Sequence, residues 1–422
     1  MTDSTRAGAL ATLGGVDVPA LAAREGTPLY LYDAAAIDAR IAALKAGLAG
    51  RRARVCYAVK ANSSRAILAR IATAGLGADI VSEGEMRRAL AAGFRPEDIV
   101  FSGVGKTRTE IQAALEHGVG RFNAESIEEL DLLDALAAAR GVSAAVALRV
   151  NPDVDARTHA KISTGKAENK FGIALEQARA IFRDAARWPA LRIDGLHAHI
   201  GSQLLTLDPI REAVARMAAF GRELQGAGTV LRSIDVGGGL GVCYRAGHDH
   251  PPALEDYFAA VFGAFEGFDG ELVFEPGRWL MAEAGILLAR VVRVKRGDTR
   301  RFLVLDAAMN DLIRPSLYEA WHDIVPLVPA NRPLREYDVV GPVCETGDTF
   351  AQGRVLPEVE ADELVAICGA GAYGMSMAST YNSRQLPAEV LLERGGYYLI
   401  RRRQSWEEMT AGESLLQERR TT

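Results

Sequence analysis

Apolar and polar positions follow two alternating periods through the first two thirds of the chain. Short apolar or β-branched runs stand at 54–59, 78–81, 99–101, 120–122, 145–150, 192–199, 233–236 and 271–274. Continuous runs of this length predict strands buried on both faces. Between them, Ala- and Leu-rich stretches at 64–74, 83–92, 107–117, 125–139, 175–187, 209–225 and 254–266 carry apolar residues at helical spacing. Eight strands with intervening helices over roughly 225 residues match the size of a (β/α)8 barrel. A doubly wound sheet alternates in the same way. The count of eight, and the lack of a dinucleotide fingerprint after the first run, favour the barrel.

The pattern changes after about residue 281. Runs at 286–294, 301–305, 337–340, 363–367, 390–392 and 397–400 read as strands, punctuated by Gly and Pro as in VPLVPANRP at 325–333. The expected fold class is α/β plus β. A TIM-type barrel spans 28–280, a mostly antiparallel β domain spans 281–422, and an N-terminal segment, 1–27, packs with the β domain.

Composition narrows the function. Of 422 residues, 49% are hydrophobic and 24% charged. That balance excludes a disordered, collagen-like or disulfide-scaffold chain. The net charge of -5, without a basic stripe, predicts no nucleic-acid partner. No apolar run approaches the ~20 residues of a membrane span, and the first residues lack the basic-then-apolar order of a secretory signal. Cys56, Cys243, Cys344 and Cys368 form no CxxC pair and read as free thiols of a reducing compartment, so the expected location is cytoplasmic. Only seven of the 49 basic residues are Lys, which makes each Lys worth inspecting.

Barrel enzymes keep their chemistry at the C-terminal ends of the strands. Lys60, in YAVKANSS, ends the first run. It reads either as a snorkelling side chain or as a desolvated amine able to form a Schiff base. The glycines of GGGLG, at 237–241, follow the seventh run, and EPGR, at 275–278, follows the eighth. Both loops commonly hold phosphate in barrels, although a Gly run is also a plain turn. GVGKT at 103–107 fails as a phosphate loop because Val100 stands where the first Gly is needed. Glu275 is a solvated loop acid or a partner for a protonated ring nitrogen. His197 and His199 share one side of a strand; a metal pair is the minority reading, because no carboxylate-rich partner motif follows. In the later half, Cys344 of GPVCETGDTF lies in a polar Gly-rich loop suited to proton transfer. Tyr373, among small residues, either reaches a ligand or packs in the core.

YAVKAN, HAHIGSQ, the Gly run, EPGR, CETGD and GAYG occur in the order found in the barrel-type (fold type III) pyridoxal-phosphate decarboxylases, which the chain resembles over 57–384. DAAMNDLIRPSLYEAWH at 306–322 and the segment 151–172 point to the branch acting on diaminopimelate. The resemblance implies pyridoxal 5'-phosphate as cofactor and meso-2,6-diaminopimelate as substrate, giving L-lysine and CO2, with no metal. It implies that Lys60 carries the cofactor and that His199 stacks on its ring. Glu275 would face the ring nitrogen, Ser202, Gly239, Gly277, Arg278 and Tyr373 would hold the phosphate or lie beside it, and Pro276 would also bind the cofactor. Arg278, Arg314, Tyr318, Glu345 and Tyr373 would contact the substrate, and Cys344 would donate a proton. It also implies a homodimer with shared active sites, Cys344 and Glu345 entering the partner's site. The rivals are a decarboxylase for another carboxylated amino acid, free or carrier-bound, a pyridoxal-phosphate racemase, a metal-dependent barrel hydrolase and an inactive relative. Ala307-Ala308, Glu319, Trp321 and Gln385-Leu386 depart from the usual pattern around the distal pocket.

Overall fold

The computed structural model describes residues 3–155, 170–329 and 331–415; most of the 151–172 segment lies outside the described residues. The chain divides into two compact units, 36–283 and 1–35 with 284–422.

In the first unit, eight strands pair in parallel in chain order. They are Ala53–Ala58, Gly77–Ile80, Ile99–Phe101, Arg121–Ala124, Ala144–Asn151, Leu191–His197, Ser233–Asp235 and Glu271–Phe274. The last closes onto the first, with Leu272 opposite Ala53. The result is a closed TIM-type barrel. Its strands are buried on both faces, Ile99–Phe101 and Arg121–Ala124 entirely. That is why they appear in the sequence as runs rather than as alternation. The return helices are locally encoded. Glu83–Ala91, Arg108–His117 and Ile127–Arg140 begin on Ser82, Thr107 and Ser126, whose hydroxyls accept from the backbone three residues on. Each cap contributes about 1 kcal/mol. Gly118 and Gly141 end two of these helices in the left-handed conformation. Lys106 of GVGKT is a structural residue. Its Nζ donates to Gly103 O, Asn123 O and Glu129 Oε1 at 2.7–2.8 Å.

The second unit is a nine-stranded sheet, mostly antiparallel. Gly285–Arg296, Arg301–Leu305, Leu334–Val340, Leu364–Ile367, Ala388–Glu393 and Gly396–Arg401 correspond to the six expected strands. Three others were not expected: Leu29–Asp33, Ile324–Pro326 and Thr349–Pro357. The first of them corrects the boundary placed at 28. Leu29–Asp33 runs antiparallel to Gly285–Arg296 and parallel to Ala388–Glu393, so it belongs to the sheet. LYLYD is an apolar run like those of the barrel, and only long-range pairing assigns it. Val18 and Leu21 of the helix Val18–Glu25 bury against Leu31, Leu288 and Val390 in one core cluster. Among the described residues no helix is long and apolar enough to cross a membrane.

Candidate active site

The expected site residues fall into two sets, one in each unit. The barrel set stands at the C-terminal strand ends. Lys60 sits in a 3-10 turn, Val59–Ala61, directly after the first strand. Its Nζ lies 2.6 Å from Asp79 Oδ2, at the end of the second strand, and Asp79 is fully buried. His199 follows the sixth strand, and its Nδ1 accepts the Gly238 amide at 3.2 Å. Burial, reinforced by the charges of Arg149 and Lys60, pushes its pKa well down. The ring is therefore neutral and fixed in orientation. Arg278 is buried after the eighth strand, donating Nε and Nη2 to Ser202 Oγ and Nη1 to Tyr244 OH at 2.7–3.1 Å. The glycine run serves close backbone packing. A Cβ on Gly239, at φ +114°, would meet Gly201 O at 2.6 Å, and one on Gly237 would meet Ala198 O at 2.7 Å.

Behind Lys60 lies a buried polar cluster. His197 Nε2 is 3.1 Å from Glu275 Oε2. His197, Asp235 and Glu275 offer atoms within 4.8 Å of one another, the one such group of three among the described residues. His199 is not one of the three; its Nδ1 turns to Gly238 instead. Burial raises Asp235 well above its ordinary value, with Glu275 adding. Burial, then the charge of Asp79, pushes Glu275 up to about 8. Burial lowers His197 to about 4.

These shifts fix a pH dependence. The folded state holds protons on Glu275 and Asp235 more tightly than the unfolded chain does. Their contribution is complete below an ordinary value near 4 and is lost as pH rises toward 8. His197 acts with the opposite sign, but only below 6.5. Cofactor-free protein should therefore lose about 1–2 kcal/mol of stability between roughly pH 6.5 and 8. Thermal unfolding across that range should show the loss, and Glu275→Gln should at least halve it. An unchanged slope in the variant would remove Glu275 as the titrating group.

The second set lies in the sheet unit. Arg314 and Tyr318 bound a short helix, Arg314–Tyr318, in which Arg314 is buried. Cys344 and Glu345 are exposed at the tip of a stapled loop. Asp348, buried below them, accepts the amides of Met309 and Val343 at 2.7 Å. Asn382 Oδ1 accepts from the Cys344 amide, and Tyr381 OH donates to Glu345 Oε2 at 3.2 Å. Ser316 Oγ ties the Arg314 helix to the same loop through Gly347 O at 2.6 Å. Tyr373 holds a left-handed φ of +56°, rare for a bulky residue. Its segment is tied to the 306–322 stretch where Asn310 and Ser379 exchange bonds at 2.9 and 3.2 Å.

Sequence reading missed Asp79, Asp235, Tyr244, Tyr381, Asn382 and Asp348. For the first two a signal existed, an acid within a short, largely apolar run, 78–81 and 233–236.

The barrel set fits pyridoxal phosphate on its own chemistry. Glu275 Oε1 is buried, and no N–H of the described residues donates to it. A protonated ring nitrogen supplies that donor. Lys60 stands beside an acid, and Arg278 carries a positive charge held by two hydroxyls.

Comparison with known proteins agrees. Residues 34–282 match the family model described as pyridoxal-dependent decarboxylase, pyridoxal binding domain. The chain is 49% identical to a diaminopimelate decarboxylase of Zymomonas mobilis, over 94% of this chain and 95% of that one. It is 50% identical to one of Pseudomonas aeruginosa, over 95% and 96%. A crystal structure of diaminopimelate decarboxylase from Helicobacter pylori, complexed with L-lysine, superposes with a TM-score of 0.90 at 43% identity, covering 94% of this chain and 99% of that one. The chain belongs to the diaminopimelate decarboxylases, within the pyridoxal-dependent decarboxylase family.

Proposed function

We propose that the two residue sets divide the work of one reaction, the decarboxylation of meso-2,6-diaminopimelate to L-lysine and CO2. The enzyme is a pyridoxal-phosphate-dependent carboxy-lyase. When bound, the cofactor accepts the electron pair left at Cα as CO2 departs. Lys60, His199, Ser202, Gly239, Glu275, Pro276, Gly277, Arg278 and Tyr373 would hold it. Asp79 keeps the Lys60 amine oriented. Glu275 keeps the ring nitrogen protonated, and its buried open oxygen is the observation that carries this reading. His199, neutral and fixed by Gly238, offers a flat face.

The substrate groups follow from charge. Its distal head bears a carboxylate and an ammonium. Arg314 presents a planar fork to the carboxylate, aided by Arg278, Tyr318 and Tyr373. Glu345, steadied by Tyr381, meets the ammonium. Cys344 delivers the proton that replaces CO2 at Cα. Cys344 and Glu345 serve the partner's site in a homodimer. Four cysteines without disulfides support action in the cytoplasm.

Arg314→Lys tests the substrate assignment, because it keeps the charge and loses the fork. Efficiency on diaminopimelate should fall about 10- to 100-fold, with the cofactor's visible absorbance intact. Wild-type efficiency in this variant would end the assignment of Arg314 as the carboxylate clamp.

A further inference from the structure

Arg314 is held by an imidazole. Its Nη1 lies 2.7 Å from His322 Nε2, and both residues are buried. On the other side of the ring, His322 Nδ1 lies 2.7 Å from Cys368 O. A carbonyl oxygen only accepts, so Nδ1 carries the hydrogen. A guanidinium only donates, so Nε2 carries the lone pair. The two neighbours demand the same neutral tautomer. A second ring proton would turn N–H against N–H and set two positive charges together.

The His322 backbone is rigid for reasons outside the ring. The Cys368 amide donates to Asp323 O at 2.8 Å, beside the paired strands Ile324–Pro326 and Leu364–Ile367. Arg354 donates to His322 O at 3.0 Å while its guanidinium lies 3.5 Å from the Trp321 ring centroid. Trp321 Nε1 donates to Asp323 Oδ1 at 2.8 Å. Arg314, by contrast, starts a helix of five residues. The imidazole is thus a bridge from the sheet to the guanidinium at the start of a five-residue helix.

We propose that His322 is a positioning residue for Arg314 and sets the selectivity for substrates with a distal carboxylate. This rests on Arg314 being the carboxylate clamp. His322 accepts one Nη1–H, which directs the remaining donors of the fork. Trp321, unusual for this stretch, has its use here: it is the platform for Arg354, which holds the His322 carbonyl.

Two variants separate positioning from bulk packing. His322→Asn keeps a donor for Cys368 O and loses the acceptor for Arg314. His322→Gln places an oxygen near the Nε2 position and returns that acceptor. In the holoenzyme, His322→Asn should raise KM for diaminopimelate about tenfold, the scale of a hydrogen bond to a charged group. The kcat should stay within about twofold, because the reacting Cα is not touched. Inhibition by L-lysine, which keeps the distal carboxylate, should weaken in proportion. Inhibition by cadaverine, which lacks it, should not change. His322→Gln should recover most of the loss, and in an Arg314→Ala background His322→Asn should add nothing. If His322→Asn does not fold, His322→Leu against His322→Gln gives the same contrast in the lysine-to-cadaverine ratio. Equal effects of Asn and Gln, or equal weakening of lysine and cadaverine, would overturn the proposal. So would an Arg314→Lys variant that loses affinity for diaminopimelate while His322→Asn is silent. An Arg314→Lys variant with unchanged KM would instead defeat the clamp reading itself.

Discussion

Lys60→Ala is expected to lower turnover by at least about three orders of magnitude, the largest loss of any single substitution in the barrel. The expectation rests first on position. Lys60 follows the first strand and faces Asp79 at 2.6 Å, next to the Glu275 cluster. Among the other described lysines, Lys106 is consumed by two carbonyls and Glu129. Lys45 donates to Ala74 O on an exposed face. Lys60→Arg serves as the control, because it keeps a positive charge beside the buried Asp79 and separates lost chemistry from lost stability. It should fold like wild type and remain inactive. Borohydride reduction of the wild-type holoenzyme, followed by peptide mapping, should fix the cofactor to Lys60. A label on Lys106, Lys170 or any other lysine would sink the assignment.

The second large effect is a recovery. Lys60→Ala and Cys344→Ala should each be nearly dead, and their mixture should regain about a quarter of wild-type activity. Lys60 belongs to the barrel unit and Cys344 to the sheet unit. Cys344 and Glu345 are exposed on a loop that Asp348, Asn382 and Tyr381 keep rigid. Such a tip is shaped to be presented. If each site takes Lys60 from one protomer and Cys344 from the other, a mixed dimer gathers both defects in one site. The other site is then intact. Half the dimers are mixed after full exchange and each has one good site of two, hence about a quarter. No recovery after demonstrated subunit exchange would mean that Cys344 serves its own chain.

The barrel was legible because parallel strands buried on both faces leave continuous apolar runs, and because Ser82, Thr107 and Ser126 mark the helix starts. The sheet was legible only in part. Thr349–Pro357 buries Phe350 and Leu356 but exposes Gln352 and Gly353 at its middle, and Ile324–Pro326 has three residues. Neither carries enough apolar pattern to stand out. The site was read from strand ends, which found Lys60, Glu275 and Arg278. The same rule passed over Asp79 and Asp235, which lie within the runs at 78–81 and 233–236 and not in the segments that follow them. His322 drew no reading from the sequence, since the feature that gives it meaning, an acceptor 2.7 Å from Arg314, joins residues eight apart through a turn with no sequence signature.

The strand Leu29–Asp33 has a consequence for biosynthesis. Its parallel neighbour, Ala388–Glu393, emerges more than 350 residues later. The barrel residues lie wholly between the two, so everything the barrel needs is made while the sheet still lacks a central member. The ribosome adds residues at about 5–20 per second. For tens of seconds, an apolar strand made early therefore waits for partners not yet translated. A nascent chain stopped before residue 388 would carry a complete barrel sequence and an open sheet, with Leu29–Asp33 exposed along the edge that Ala388–Glu393 covers. Such an edge is a template for pairing with other chains. Loss of the chain from residue 388 onward would then act through aggregation.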